Sequence, residues 1–173
     1  ISLFSHEGEL VVDPYVGSGT TLVAAQDLNR TCLGFDLKKE YIEICNNRLT
    51  QQNAFNSCQQ IPIEDDARNI NQYLPKQSIT LIFTSPPYSN LLNRERKNKS
   101  RRDRDNGQLN KIEQYSQDER DLGTYSAEKW TLAMGDIFEN LLPLMKDKGH
   151  CVINVPDFWW ENKRITLHIS LTE

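Results

Sequence analysis

The sequence lacks any apolar run approaching about 18 residues, so it holds no membrane-spanning helix. Its start has no charged segment followed by an apolar one, so no secretory leader is expected. The first residue is Ile1, not Met, and the chain is expected to be a piece of a longer product. Cysteine is scarce: Cys32, Cys45, Cys58 and Cys151 stand apart, with no Cys-x-x-Cys pair. That spacing is poor for zinc and too thin for a disulfide scaffold, so reduced thiols of a cytoplasmic protein and no metal centre are expected. No cysteine follows a proline. An excess of basic charge is also missing. Twenty Lys and Arg face 24 Asp and Glu, a net charge of −4, which rules out a uniformly basic coat for nucleic acid. Hydrophobic residues make up 38% and charged residues 25% of the 173 positions, a polar but foldable chain of one-domain length.

What is present alternates between strand and helix patterns. Residues 9–13, Glu-Leu-Val-Val-Asp, read as a buried strand stopped at Asp13-Pro14. Gly17-Ser18-Gly19 follows, then a helix opening that Thr20 or Thr21 can cap. Residues 31–36 predict a second strand ending in Asp36, and residues 38–51 a second helix. A weak strand at 61–63, a short helix over 67–75 and a β-branched strand over 78–84 come next. A long helix over 126–146, a strand over 151–155 and one more strand at 164–171 complete the pattern. Such alternation predicts an α/β fold, a mostly parallel sheet with helices on both faces.

Residues 89–124 break the pattern and are expected to form a mobile charged insert in a single domain spanning 1–173. Seven basic residues against Glu95 and Asp103 give a local charge of +5 between Arg94 and Arg104. The cluster reads either as a solvated loop or as a flap that contacts phosphates.

Three groups of residues carry chemistry. Gly17 and Gly19 lie between a strand and a helix, where glycines let the backbone approach a nucleoside ligand; a tight structural turn is the other reading. A Walker loop is excluded because Thr20-Thr21 follows Gly19, and an NAD fingerprint because Leu22 replaces its third small residue. Asp36, 17 residues beyond Gly19, can accept hydrogen bonds from ribose hydroxyls or cap the next helix, or both. Asp65 and Asp66 follow the third strand, where one acid can face the same crevice and accept from an adenine amine; a surface turn with a helix cap is the other reading. Thr84-Ser85-Pro86-Pro87-Tyr88 ends a strand abruptly. The Ser85 and Pro86 carbonyls are acceptors and Tyr88 offers a stacking face, a set suited to the exocyclic amine of a flipped base.

The stretch Asp13-Pro14-Tyr15-Val16-Gly17-Ser18-Gly19-Thr20-Thr21 resembles the S-adenosyl-L-methionine (AdoMet) motif of the amino-methylating DNA methyltransferases. Thr84-Ser85-Pro86-Pro87-Tyr88 resembles their catalytic motif; Gly34-Phe35-Asp36 and Asp66-Ala67-Arg68 resemble the acidic motifs between. The similarity runs from about Glu9 to Asp157. Here the cofactor motif precedes the catalytic one, whereas many family members have the reverse order. The final family strands and any target-recognition domain are expected to lie largely outside this chain.

The resemblance implies a Rossmann-like AdoMet-dependent methyltransferase fold. Asp13, Pro14, Tyr15, Gly17, Ser18, Gly19 and Thr20 would lie along the methionine and ribose, Asp36 would hold the ribose hydroxyls, and Asp66 the adenine amine. Ser85, Pro86, Pro87 and Tyr88 would hold the target base, flipped out of double-stranded DNA, and a cognate restriction endonuclease is the implied partner. Serine before Pro-Pro-Tyr favours the N4 amine of cytosine by family association, with the N6 amine of adenine as the alternative. Carbon-5 cytosine methylation needs a Pro-Cys nucleophile, which is missing. An RNA or protein-glutamine methyltransferase and a binding module without turnover are the readings from other classes.

Overall fold

A computed structural model describes residues 1–50, 58–89, 118–160 and 163–166. The chain divides into two compact units, one of Ile1–Pro86 with Gly135–Asn154, the other of Pro87–Met134 with Val155–Glu173.

The first unit is built on a five-stranded sheet. Its strands are β1 (Leu10–Asp13), β2 (Thr31–Asp36), β3 (Gln60–Glu64), β4 (Ile79–Thr84) and β5 (Met145–Ile153), in the order β3-β2-β1-β4-β5. All four pairings are parallel. Helix α1 (Thr20–Asp27) connects β1 to β2, and α2 (Lys39–Thr50) lies between β2 and β3 in the chain. Val11 and Val12, Cys32 and Leu33, and Leu81 and Ile82 are buried in pairs along their strands. Consecutive buried residues on a strand mean that both sheet faces are covered. On one face Val11, Cys32 and Leu81 pack with Leu22 and Ala25 of α1 and with Ile42 and Cys45 of α2.

The order reverses between β1 and β4: from β1 the chain winds outward through β2 and β3, then returns to the other side of β1. With right-handed crossovers, connections running in opposite directions lie on opposite faces, and the strand ends part at the reversal to leave a crevice. This is a Rossmann-like α/β sheet, as expected.

Three boundaries differ from the sequence expectations by several residues. The long helix, α3 (Ala127–Leu141), gives way at its end to a 3₁₀ turn over Leu142–Leu144. Pro143 lacks the N–H that an α-helix would need there. Residues 145–150 therefore join β5, which starts earlier than residue 151. Between Ile79↔Met145 and Leu81↔His150 the pairing register shifts, and Lys148 takes a φ of 65° in the excursion. The element after β3 is a 3₁₀ turn, Ala67–Gln72, rather than a helix to residue 75.

In the second unit, a 3₁₀ turn at Leu122–Thr124 precedes the first turns of α3 (Ala127–Leu141). Asp121 is buried and its carboxylate accepts the Gly123 amide at 2.8 Å. The carboxyl end of the expected insert is therefore ordered; the basic cluster between Arg94 and Arg104 lies outside the described residues. Strands β6 (Asp157–Trp160) and β7 (Lys163–Thr166) form an antiparallel hairpin. The expected strand at 164–171 overlaps β7, and residues 167–171 lie outside the described set. No helix among the described residues is long and apolar enough to cross a membrane.

Candidate active site at the carboxyl ends of the strands

Asp13 ends β1 and is buried. Its carboxylate accepts the Thr21 hydroxyl of α1 at 2.5 Å, the Thr84 hydroxyl of β4 at 2.7 Å and the Tyr15 amide at 3.1 Å. One side chain thus joins the two strands that flank the topological reversal to the helix that follows the glycine loop. Burial pushes the Asp13 carboxyl above the usual carboxylate range; the three hydrogen bonds oppose that shift and the charge of Asp36 adds to it. Both carboxylate oxygens are used within the protein. Thr20 or Thr21 was expected as a helix cap, but the Thr21 hydroxyl turns to Asp13, and the cap position is Gly19 with no side-chain bond.

The glycine loop is gripped from several sides. Asp36, at the end of β2, accepts the Gly17 amide at 3.0 Å with one oxygen and the Lys38 amide at 2.9 Å with the other. It therefore closes the loop and starts α2 together. From α2, Arg48 donates to the Ser18 carbonyl at 2.6 Å and reaches the Thr20 hydroxyl at 3.3 Å. The Cys45 thiol donates to the Gly17 carbonyl at 3.3 Å. Burial pushes that thiol up to about 11, so it stays protonated and able to donate at neutral pH.

The two loop glycines serve different ends. Both have positive φ, 51° at Gly17 and 83° at Gly19. A Cβ on Gly19 would stand 2.7 Å from the Cys45 sulfur, so Gly19 lets α2 pack against the loop. A Cβ on Gly17 would meet no atom within 4 Å, so Gly17 borders open space at the carboxyl end of the sheet. Ser18 and Thr20 are exposed, while Pro14 is buried. Tyr15 is half-buried, and burial pushes its phenol well above the ordinary range, with the charge of Asp66 acting the same way. Gly34 of β2 completes the arrangement, since a Cβ there would lie 2.5 Å from a Val16 methyl.

Of the two acids after β3, Asp65 turns back on its own segment, accepting the Asn69 amide at 2.8 Å and the Tyr73 hydroxyl at 2.6 Å. Asp66 is buried; its Oδ1 caps the 3₁₀ turn through the Arg68 amide at 3.0 Å. At the end of β4, Ser85 is exposed and its hydroxyl stands 3.5 Å from the Asn154 carbonyl. Pro86 is buried. Pro87, Tyr88 and Ser89 belong to the second unit. There the Trp130 indole N–H donates to the Pro87 carbonyl at 2.7 Å, and the Ser89 hydroxyl donates to the Tyr125 carbonyl at 2.9 Å.

The family model described as DNA methylase matches residues 1–47. Over these residues the resemblance read from the motifs to methylases of the N4/N6 class is borne out. Over 54 residues the chain is 48% identical to the type II methyltransferase M.HpaI of Haemophilus parainfluenzae, covering 31% of this chain and 17% of that protein. Over 50 residues it is 48% identical to the type II methyltransferase M2.DpnII of Streptococcus pneumoniae, covering 29% and 19%. The matched stretch thus spans less than a fifth of either methylase. An rRNA methylase from Streptococcus thermophilus superposes with a TM-score of 0.55 over 88% of this chain and 64% of that one, at 13% identity. SMU.1697c from Streptococcus mutans, a putative methyltransferase in complex with SAH, superposes with a TM-score of 0.54 over 88% and 65%, at 16% identity. Those likenesses establish the fold of the AdoMet-dependent methyltransferases.

The methylase match contains Asp13, the glycine loop and Asp36; Asp66 and Ser85 to Tyr88 lie beyond it. Sequence reasoning missed four contributors: Cys45, Arg48, Ser89 and Trp130. Arg48 carried a weak signal, a cation in the last turn of α2. Cys45 and Trp130 read only as apolar positions on helices, and Ser89 only as the start of the insert.

Proposed function

We propose that this chain provides the catalytic domain, spanning 1–173, of a DNA amino-methyltransferase that methylates the N4 amine of cytosine with AdoMet as donor. The observation that carries the proposal is the Asp13–Thr84 bond, which ties together the ends of β1 and β4. The glycine loop and the Ser85-Pro86 segment leave the sheet from these two neighbouring strands, beside the crevice where ligands bind in such sheets.

The residues fit the cofactor. Gly17 borders open space that a larger residue would enter, and Asp36 and Asp66 place carboxylates at the ends of β2 and β3. Pro14, Tyr15, Gly17, Ser18, Gly19 and Thr20 form the loop beside the methionine and ribose, Asp36 serves the ribose and Asp66 the adenine amine. Asp13 acts through the loop it anchors. When bound, AdoMet supplies an electrophilic methyl group on a sulfonium.

The chain's own residues prepare the acceptor. An exocyclic amine conjugated to its ring is a weak nucleophile. The Ser85 hydroxyl oxygen and the Pro86 carbonyl accept its two N–H bonds and draw the lone pair out of conjugation, Pro87 stiffens the turn, and Tyr88 stacks on the flipped base. The basic residues between Arg94 and Arg104 contact DNA phosphates. The setting is cytoplasmic, with a cognate restriction endonuclease as partner.

The test is transfer of radiolabelled methyl groups to double-stranded DNA, followed by nucleoside analysis. Label in N4-methylcytosine is expected. Label in N6-methyladenine would reassign the target, and label in RNA or protein but not in DNA would reject the reading.

A further inference from the structure

Trp130 is fully buried, and a buried indole needs a partner for its N–H. It lies in the first turn of α3, and its N–H reaches the Pro87 carbonyl at 2.7 Å. Ser89 is 2% exposed and sends its hydroxyl to the Tyr125 carbonyl at 2.9 Å. Tyr125 stands just ahead of the same helix and is itself held, its hydroxyl donating to the Glu119 carbonyl at 3.0 Å and its ring lying 3.7 Å from the Lys129 ammonium. Helix α3 is fixed at this end, with the Trp130 amide closing on the Ser126 carbonyl at 2.8 Å. The two bonds therefore fall on the residues immediately before and after Tyr88, and both come from one anchored helix start.

We propose that Trp130 and Ser89 are positioning residues that clamp the backbone on either side of Tyr88 and so aim its ring. Proline at 86 and 87 fixes φ on the approach but supplies no N–H donor of its own. The clamp supplies that restraint from about forty residues away in the chain, with Trp130 as donor to Pro87. The proposal rests on the reading of Tyr88 as the side chain that stacks the target base. Misplacing a reacting group by about 1 Å can lower a rate 100-fold, so loss of either bond should act on turnover rather than on cofactor binding.

The test uses the full chain with Trp130→Phe, which keeps an aromatic filler and deletes the N–H, and Ser89→Ala. Three quantities are read: kcat and KM for methyl transfer to DNA, affinity for S-adenosylhomocysteine by calorimetry, and the Tyr88 ring resonances in ¹³C-tyrosine-labelled protein, assigned with Tyr88→Phe. The clamp predicts a kcat lowered roughly 10- to 100-fold in each variant, an unchanged S-adenosylhomocysteine affinity and a displaced or broadened Tyr88 ring signal. A merely structural role would lower thermal stability and leave kcat of the folded fraction intact. Wild-type kcat with an unmoved Tyr88 ring in the folded variants overturns the proposal. Should Trp130→Phe fail to fold, Ser89→Ala carries the same readouts. Should the wild-type chain methylate no DNA, the reading of function falls, and the Tyr88 ring signal alone decides the clamp.

Discussion

The glycine loop and the Ser85–Ser89 segment are both short, irregular and set at the end of a strand, yet they are restrained in opposite ways. The loop is held mainly by ionisable side chains: Asp13, Asp36 and Arg48 make its bonds from the flanking strands and from α2. The later segment is stiffened by two prolines, and the bonds it makes to Trp130 and Tyr125, at and just ahead of the start of α3, involve neutral groups. The difference follows from chemistry. A loop rich in N–H groups needs acceptors, and carboxylates are the strongest available. A Pro-Pro turn offers carbonyls instead and needs a donor, which an indole provides without adding charge.

The comparison is broken most severely at Asp13. Asp13→Ala leaves the buried Thr21 and Thr84 hydroxyls without their acceptor and should lower unfolding stability by about 3 kcal/mol, read from urea midpoints. The same residue gives a pH test with a defined sign. Its folded pKa is raised from 3.8, so over a window above that value the folded state holds a proton that the unfolded chain has released. Wild type should lose stability relative to Asp13→Asn as pH rises through that window, then level off above the folded pKa. Wild type gaining stability relative to Asp13→Asn as pH rises through that window would contradict the shift.

Next in size is the glycine pair. Gly19→Ala combines a positive φ with a Cβ 2.7 Å from the Cys45 sulfur, and should cost about 2 kcal/mol or more. Gly17→Ala has the strain without the clash and should cost about 1 kcal/mol. Equal melting temperatures for the two variants would refute the division of roles. The smallest effect is expected at Arg48, which is partly exposed. Arg48→Met should change stability by less than about 1 kcal/mol, with a few-fold loss of S-adenosylhomocysteine affinity measured by calorimetry, because the loop loses its restraint at Ser18.

Much of this was legible in the sequence, for reasons that particular residues make plain. Strands β1, β2 and β4 were found within a residue because their apolar runs end at a proline or an acid. Asp36 was read as both ribose acceptor and helix starter, and its two internal bonds show the second role beside the loop closure. The end of α3 was misread because Leu142 and Leu144 continue an apolar spacing through Pro143, and the proline decides. Residues that act across the fold leave no local pattern. Gly34 gives room to Val16, Cys45 packs on Gly19, and Trp130 reaches Pro87, 43 positions away. Each of those is a tertiary fact, written in spacing only once the strands are paired.

The central claim is that open space at Gly17, beside Asp36, receives the adenosyl cofactor. Titrating S-adenosylhomocysteine into wild-type protein and Gly17→Val by calorimetry tests it most directly, with circular dichroism confirming that the variant is folded. The account predicts binding to wild type and its loss in folded Gly17→Val, because the added side chain enters the space that the backbone leaves open. Undiminished affinity in the folded variant would contradict it.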